Sequence, residues 1–518
     1  MSWRSTRASG RGNRQVAVID LGSNSWRLVV FTYAEPPNQW FKQTDELFER
    51  VRIGAGLAAS GRLSDEAIAR GHETLDVFAR FCAANRLGPE DVHAVATSAI
   101  REASNGPEFL AQASQRTGLA IETLSADEEA RFGYLAAVNT TTLRDGVVLD
   151  IGGGSMQLTH VQDRRARQTA SFPLGAVRLT EAFLPGEGPA RRKELSRLRA
   201  HVEESLAGLD WLAQSGPRLV GVGGAVRNLA AAAQAAGSLD VGVQGYVIVP
   251  EMLSQLVAQL AALPVVQRRL PGIKPARADI ILASAVVLDT VVTLGGFDGL
   301  EATEAGLRMG VFFARALPDG DDPLLDDVRV VSVRNLAVQY ESNMVHVEHV
   351  AKLAGEMFDS LVDAGLFEPL AGERELLWAA SMLHDVGMTI SYDDHHKHSR
   401  YLIESLDIPG FDPRERALIA QITRYHRKGV PKLGAIAPLS RAGDERLLER
   451  CSVILRLAEH LERGRDQSVS EARLRTNGDG IGLHLIAGGD LTLPRWSVER
   501  YGDDQAFERV FARRLVVG

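Results

Sequence analysis

Two stretches of this chain combine residue types that suit phosphate chemistry. The apolar run Val16-Ala-Val-Ile ends in Asp20 and is followed by Leu21-Gly-Ser-Asn-Ser25. Val147-Val-Leu ends in Asp150 and is followed by Ile151-Gly-Gly-Gly-Ser155. Backbone N–H groups in a glycine-rich turn point into a concavity that holds phosphate oxygens, and Ser and Asn add donors. An aspartate at the end of a strand orients a divalent metal, directly or through water. One such turn is weak evidence. Two of them, facing each other, can clamp a phosphate chain from both sides.

The elements that must position these turns repeat as well. Val16 to Asp20 and Trp26 to Tyr33 read as two strands joined by a polar tip, a hairpin. A helix is expected over Leu63 to Asn85, a strand over Val92 to Thr97 and a helix over Glu128 to Val138. At Gly146 the strand–turn–strand pattern starts again, with Leu158 to Val161 as its return strand. A third turn, Gly221-Val-Gly-Gly224, leads from an apolar strand into a helix. The Pro/Gly/Asp-rich stretch from Leu317 to Asp327 reads as a linker. Ser332 to Leu461 is helical in pattern, and short β-like runs follow at Leu483 to Ile486 and Ala506 to Val516. The expected division is a flexible basic tail (1–15), two α/β domains (16–138 and 139–316), a helical domain (317–468) and a small α+β terminal domain (469–518).

The 518 residues provide ample core for several domains, and the net charge of −8 argues against a nucleic-acid coat protein. Local basic patches, such as Arg268, Arg269, Lys274 and Arg277, leave room for an anionic substrate. Cys82 and Cys451 fit no metal or disulfide spacing, which suits a reducing cytoplasm. The apolar run Ile280 to Phe297 contains Asp289, so a buried helix is expected rather than a membrane span.

Asp20-Leu-Gly-Ser-Asn-Ser25 and Asp150-Ile-Gly-Gly-Gly-Ser155 resemble the two phosphate-binding motifs of the exopolyphosphatase/guanosine pentaphosphatase family. Ala96 to Asn105, Ser125 to Arg131, Gly221 to Gly224 and Glu304 to Val311 resemble further signatures of it, in the right order. The resemblance implies two ribonuclease-H-like domains of the actin/sugar-kinase/Hsp70 superfamily with a cleft between them. It places the general base on Glu129, with Glu128 as its neighbour, and Mg²⁺ or Mn²⁺ on Asp20 and Asp150. Ser23, Asn24, Gly152, Gly153, Gly154 and Ser155 are expected to cradle the scissile phosphate. Arg101 is expected to add a bidentate contact, and Gly223 and Gly224 either a phosphate contact or a close helix–strand approach. The implied reaction is hydrolysis of the terminal phosphoanhydride of inorganic polyphosphate, with guanosine pentaphosphate as the alternative substrate. A homodimer in the cytoplasm is implied as well, without nucleic acid or membrane association. Where the family commonly has a glutamate this chain has Gln157, which weakens a metal site and keeps open a non-catalytic, polyphosphate- or alarmone-binding sensor.

The helical half resembles HD-domain phosphohydrolases and the HD-like third domain of long-form exopolyphosphatases. His346, His384, Asp385, His398 and His426 are its expected metal-ligating set. Glu459, in Leu457-Ala-Glu-His460, stands where the closing aspartate of that pattern is expected.

Overall fold

The computed structural model describes residues 13–34, 40–239, 241–316, 323–478, 480–502 and 504–517. The basic tail before residue 13 and the centre of the expected linker, 317–322, lie outside them. The chain forms two compact units, Met1–Val328 and Arg329–Gly518.

The first unit is built on two sheets of one design. In the first, β1 (Asn13–Leu21), β2 (Trp26–Ala34), β3 (Trp40–Glu49), β4 (Val92–Ala96) and β5 (Ile121–Thr123) lie in the order β3-β2-β1-β4-β5. The four-residue turn after Leu21 allows only antiparallel pairing of β1 with β2, whereas β4 returns through the helix Asp65–Ala84 and pairs parallel with β1. That helix starts where Ser64 accepts from the Ala67 N–H, and two acids occupy its first turn. Residues 13–15, assigned from sequence to the tail, open β1 instead, because Ala34, Tyr33 and Thr32 extend the ladder to meet them.

The second sheet has β6 (Gly146–Ile151), β7 (Met156–Gln162), β8 (Arg165–Phe172), β9 (Leu219–Val222), β10 (Val247–Ile248) and β11 (Leu300–Ala302), ordered β10-β11-β9-β6-β7-β8. Read from β8 to β11, its order and strand senses match those of the first sheet. The repeat seen in the turn motifs is therefore a repeat of topology. Asp20 pairs with Arg27 across the first hairpin, and Asp150 with Gln157 across the second.

The apolar run around residue 290 forms the buried helix Ile281–Gly295. Its one acid, Asp289, is held at 2.6 Å by Arg199 and at 2.6 Å by the Ser254 hydroxyl, so the charge is paired rather than stranded. Among the described residues no helix is long and apolar enough to cross a membrane.

The second unit packs the helices Met344–Asp363, Glu373–Leu383, His395–Ser405, Pro413–Tyr425 and Asp444–Leu461 with a three-stranded sheet. Its strands are β12 (Val469–Asn477), β13 (Gly480–Ala487) and β14 (Arg514–Val517). The strands expected to form a separate terminal domain share the helices' core, since Val469, Leu474, Ile481 and Leu483 sit in one cluster with Leu353, Met357 and Ile454. The β-like run expected from Ala506 is instead the helix Asp504–Phe511, and only Arg514 onward is strand. Ala506, Phe507, Val510 and Phe511 follow helical spacing and meet the core on one face.

One close approach fixes the helix that carries the candidate base. The helix Leu307–Ala316 lies against Ala126–Val138, and a β-carbon on Gly310 would stand 1.9 Å from the Phe132 carbonyl oxygen. Backbone cannot yield there as a flexible side chain could. Gly310→Ala is expected to lower stability by about 1–3 kcal/mol, read from urea and thermal melts. An unchanged melt would show that this contact is not what sets the packing.

Candidate functional site: a cleft of opposed charges in the first unit

The turn after β1 is closed by the Trp26 indole, which donates to the Gly22 carbonyl at 3.1 Å. The turn after β6 is closed by the Gly152 N–H donating to the Ser155 carbonyl at 2.9 Å. The two turns face each other closely: a β-carbon on Gly153 would lie 2.9 Å from that of Ser23. Glycine is required here by contact between the loops. Ser23, Asn24, Gly152, Gly153, Ser155, Gly223 and Gly224 line one pocket of about 130 Å³ together with Asp20, Glu129 and Asp150. Gly154 does not line it; it turns toward Ser98, and its carbonyl accepts from Arg178 at 3.1 Å.

Neighbouring glutamates have different tasks. Glu128 closes a capping box, accepting from the Ser125 N–H at 2.8 Å while Ser125 caps the Glu128 N–H. Its carboxylate is thereby committed to the helix start, which corrects its expected share in catalysis. Glu129, one residue on, turns inward and is 5% exposed. Its carboxylate accepts from the Ser98 N–H at 3.2 Å, from Arg101 at 3.2 Å and from the Gln157 amide at 3.1 Å. Burial raises its pKa above the ordinary glutamate range, against the pull of Arg101.

Arg101 is therefore not placed as a phosphate contact. Its guanidinium binds Glu129 and the Leu124 carbonyl, the latter at 2.6 Å. The guanidiniums that do line the pocket are those of Arg27, Arg227, Arg277 and Arg308. From sequence, Arg277 was named only within a basic patch open to an anionic substrate, and the other three were not singled out. Arg308 lay within the Glu304–Val311 signature, and Arg27 lay directly across the hairpin from Asp20, so both signals were present.

The charges are unevenly answered. Arg308 meets Asp20 at 2.9 Å, yet burial still raises the Asp20 pKa. Asp150 is pushed up to about 7, first by enclosure and then by Glu129 and Asp20. Arg277 is brought down to about 10 by burial and by the like charges of Arg227, Arg27, Arg308 and Arg50. The pocket thus crowds three carboxylates and four guanidiniums together. That pattern suits a polyanion bound with a divalent cation.

In the second unit, His346, His384, Asp385 and His426 come together as expected, and Glu459 joins them. His398 does not; it is half-buried outside the cluster, and His395 takes its place. Successive helical residues point about 100° apart, so the inward histidine among 395, 396 and 398 depends on where the helix begins.

Comparison with known proteins agrees with this geometry. Residues 37–318 match the model of the Ppx/GppA phosphatase family, and residues 328–489 match that of Ppx/GppA phosphatase, domain III. A Vibrio vulnificus protein named guanosine-5'-triphosphate,3'-diphosphate pyrophosphatase is 28% identical over 475 residues, 91% of this chain and 92% of that one. The crystal structure of the Ppx/GppA family member of Aquifex aeolicus is 27% identical and superposes with a TM-score of 0.50, covering 58% of this chain and 96% of its own. An exopolyphosphatase from Cytophaga hutchinsonii, 21% identical, shares the fold with a TM-score of 0.54 over 58% of this chain and 97% of its own. With its two similar mixed sheets of actin-like type, its helical C-terminal region and a family match across more than half its length, this chain belongs to the Ppx/GppA phosphatase family.

Proposed function

We propose that this chain hydrolyses the terminal phosphoanhydride of inorganic polyphosphate, releasing orthophosphate, with Glu129 as general base. The observation that carries this is the inward Glu129 carboxylate, its pKa raised by burial, in one pocket with two phosphate-type turns and four guanidiniums. The terminal phosphoryl group sits on the N–H groups of Gly153 and Ser155 and on Ser23 and Asn24. Glu129 accepts a proton from a water as that water's oxygen forms the new bond to phosphorus. The bridging P–O bond breaks, and the shortened chain leaves with the electron pair. Arg27, Arg227, Arg277 and Arg308 neutralise charge on the phosphate oxygens through fixed guanidiniums, which costs no reorganisation during the reaction.

Asp20 and Asp150 fit Mg²⁺ or Mn²⁺, because both are hard oxygen donors and Asp150 is buried beside the carboxylates of Glu129 and Asp20, which raises its pKa. When bound, the ion offsets charge on the phosphate oxygens. Gln157 serves this scheme without being a ligand. Its amide ties Ser155 at 2.9 Å to Glu129 at 3.1 Å and so holds base and phosphate loop in register.

A second reading, cleavage of the 5'-terminal phosphate of guanosine pentaphosphate, is favoured by the name of the Vibrio vulnificus relative. That relative matches over nearly its whole length, so chain length does not separate the two substrates. A neighbouring groove shares Arg27 and Arg277 with the pocket and adds Lys274, Phe48 and Glu46, the last paired with Arg27; its cations suit successive phosphates. Among the described residues the one aromatic ring lining it, Phe48, lies under the Arg27 guanidinium at 4.8 Å, which disfavours a stacked base.

Three measurements test this reading. Glu129→Gln is expected to lose about 100-fold or more of kcat on long-chain polyphosphate, with substrate binding retained; tripolyphosphate and guanosine pentaphosphate, assayed alongside, rank the substrates. No turnover of any of the three by folded wild type with Mg²⁺ or Mn²⁺ would sink the enzyme and leave a binding sensor. Gln157→Glu places another carboxylate beside Glu129 and is expected to lower the Mg²⁺ concentration for half-maximal activity about three- to tenfold; an unchanged metal requirement would separate position 157 from the ion. The third concerns pH. Between the ordinary aspartate value of 3.8 and about 7, folded Asp150 holds a proton that the unfolded chain has lost, so stability falls as pH rises through this window. Metal-free Asp150→Asn is therefore expected to match wild type near the bottom of that window and to melt higher than wild type above it. A difference that does not change with pH would contradict the assignment.

A further inference from the structure

Asp279 stands two residues after Arg277, just before the helix Ile281–Gly295. Arg50 Nη2 donates to both of its carboxylate oxygens, at 3.0 and 2.9 Å, and the Arg52 guanidinium donates to Oδ2. These partners lie 229 and 227 positions away in sequence, so the carboxylate ties the two halves of the first unit together. None of the three residues lines the catalytic pocket itself.

What the tie joins gives it a use. On one side, Arg50 to Arg52 follow directly on β3, and the backbone there braces the first phosphate turn. The Arg52 N–H donates to the Asn24 carbonyl at 3.0 Å, and the Gly54 N–H to the Ser23 carbonyl at 3.0 Å. Arg52 has a φ of 51°, in the left-handed region that a residue with a β-carbon seldom adopts, so its surroundings must hold it there. On the other side, the stretch before Asp279 carries two cations of the substrate groove, Lys274 and Arg277. The Lys274 N–H donates to Asn228 Oδ1 at 2.7 Å, and the Arg277 N–H to the Lys274 carbonyl at 2.9 Å. The Arg277 guanidinium occupies the space that a β-carbon on Gly224 would need.

Charge makes the tie necessary. After burial, the influences that act most on Arg277 are all positive, those of Arg227, Arg27, Arg308 and Arg50. Arg50 thus repels this loop through Arg277 and binds it through Asp279. Without the carboxylate, Arg50 and Arg52 would meet the loop as like charges. A bare aspartate next to a groove for anions would also repel the substrate. Two guanidiniums on Asp279 remove that penalty and turn the acid into an anchor.

We propose that Asp279 is a positioning residue for the substrate: by binding Arg50 and Arg52 it holds Lys274 and Arg277 beside the Ser23–Asn24 turn, so that cations of both halves meet one phosphate chain together. This deepens the reading of the cleft given above and rests on it. Asp279 touches no reacting atom, so its effect falls on binding rather than on the chemical step.

The test pairs kinetics with hydrogen exchange on the full-length protein. Asp279→Ala is expected to raise KM for long-chain polyphosphate about fivefold or more, with kcat within about twofold of wild type. Asp279→Asn, of the same size without the charge, is expected to behave in the same way, and Asp279→Glu to recover most of the loss. Added to Arg277→Ala, Asp279→Ala is expected to cost much less than it does alone, because it acts through that loop. Without substrate, amides of residues 52–54 and 274–278 are expected to exchange faster in Asp279→Asn, while the buried helix that follows keeps wild-type protection. Unchanged exchange in both segments would overturn the tie. An unchanged or lower KM would overturn the positioning role and show that freed Arg50 and Arg52 bind phosphate themselves. Wild type that neither hydrolyses nor binds polyphosphate would overturn the role together with the reading of the cleft, and that wild-type result tells this case from a failure of Asp279 alone.

Discussion

Charge concentration is the constraint on which the cleft depends. Asp20, Glu129 and Asp150 share a pocket with four guanidiniums, and the protein pairs only part of the set. Arg308 answers Asp20, and Arg101 and Gln157 answer Glu129. Asp150 and Arg277 stay strongly perturbed, in opposite directions, first by burial and then by neighbours of their own sign. Such an arrangement is unfavourable in the free protein. Under the proposed reaction, a bound phosphate chain and a divalent cation supply the missing opposite charges together.

The two-sheet repeat explains how so much charge is brought to one place. Each sheet presents an aspartate at the end of its central strand and a turn of small residues beside it. The copies then diverge at the position across the hairpin. Arg27 occupies it in the first sheet and faces the pocket as a cation. Gln157 occupies it in the second and joins the phosphate turn to Glu129. Divergence at one equivalent position thus gives one hairpin a pocket-facing cation and the other a tie to Glu129.

The second unit meets the same problem differently. Its charged centre is built from helix ends and inward helix faces, where backbone carbonyls are available to orient imidazoles. A hydrophobic core shared by helices and the three-stranded sheet holds those ends in place.

By itself the amino-acid sequence determined the parts whose chemistry is local. Turn glycines, strand-ending aspartates, the repeated hairpin and the helical stretch after residue 332 all follow from backbone preference and hydrophobic period, which act over a few residues. Tertiary structure decided whatever depends on direction or on distant partners. Glu128 and Glu129 are adjacent in sequence, but one caps a helix and the other enters the pocket. The choice of His395 over His398 rests on the phase of a helix start. The pocket arginines come from places as far apart as Arg27 and Arg308, and Asp20 meets its partner 288 positions away. Charge acts through space, so the list of neighbours exists only once the chain has folded.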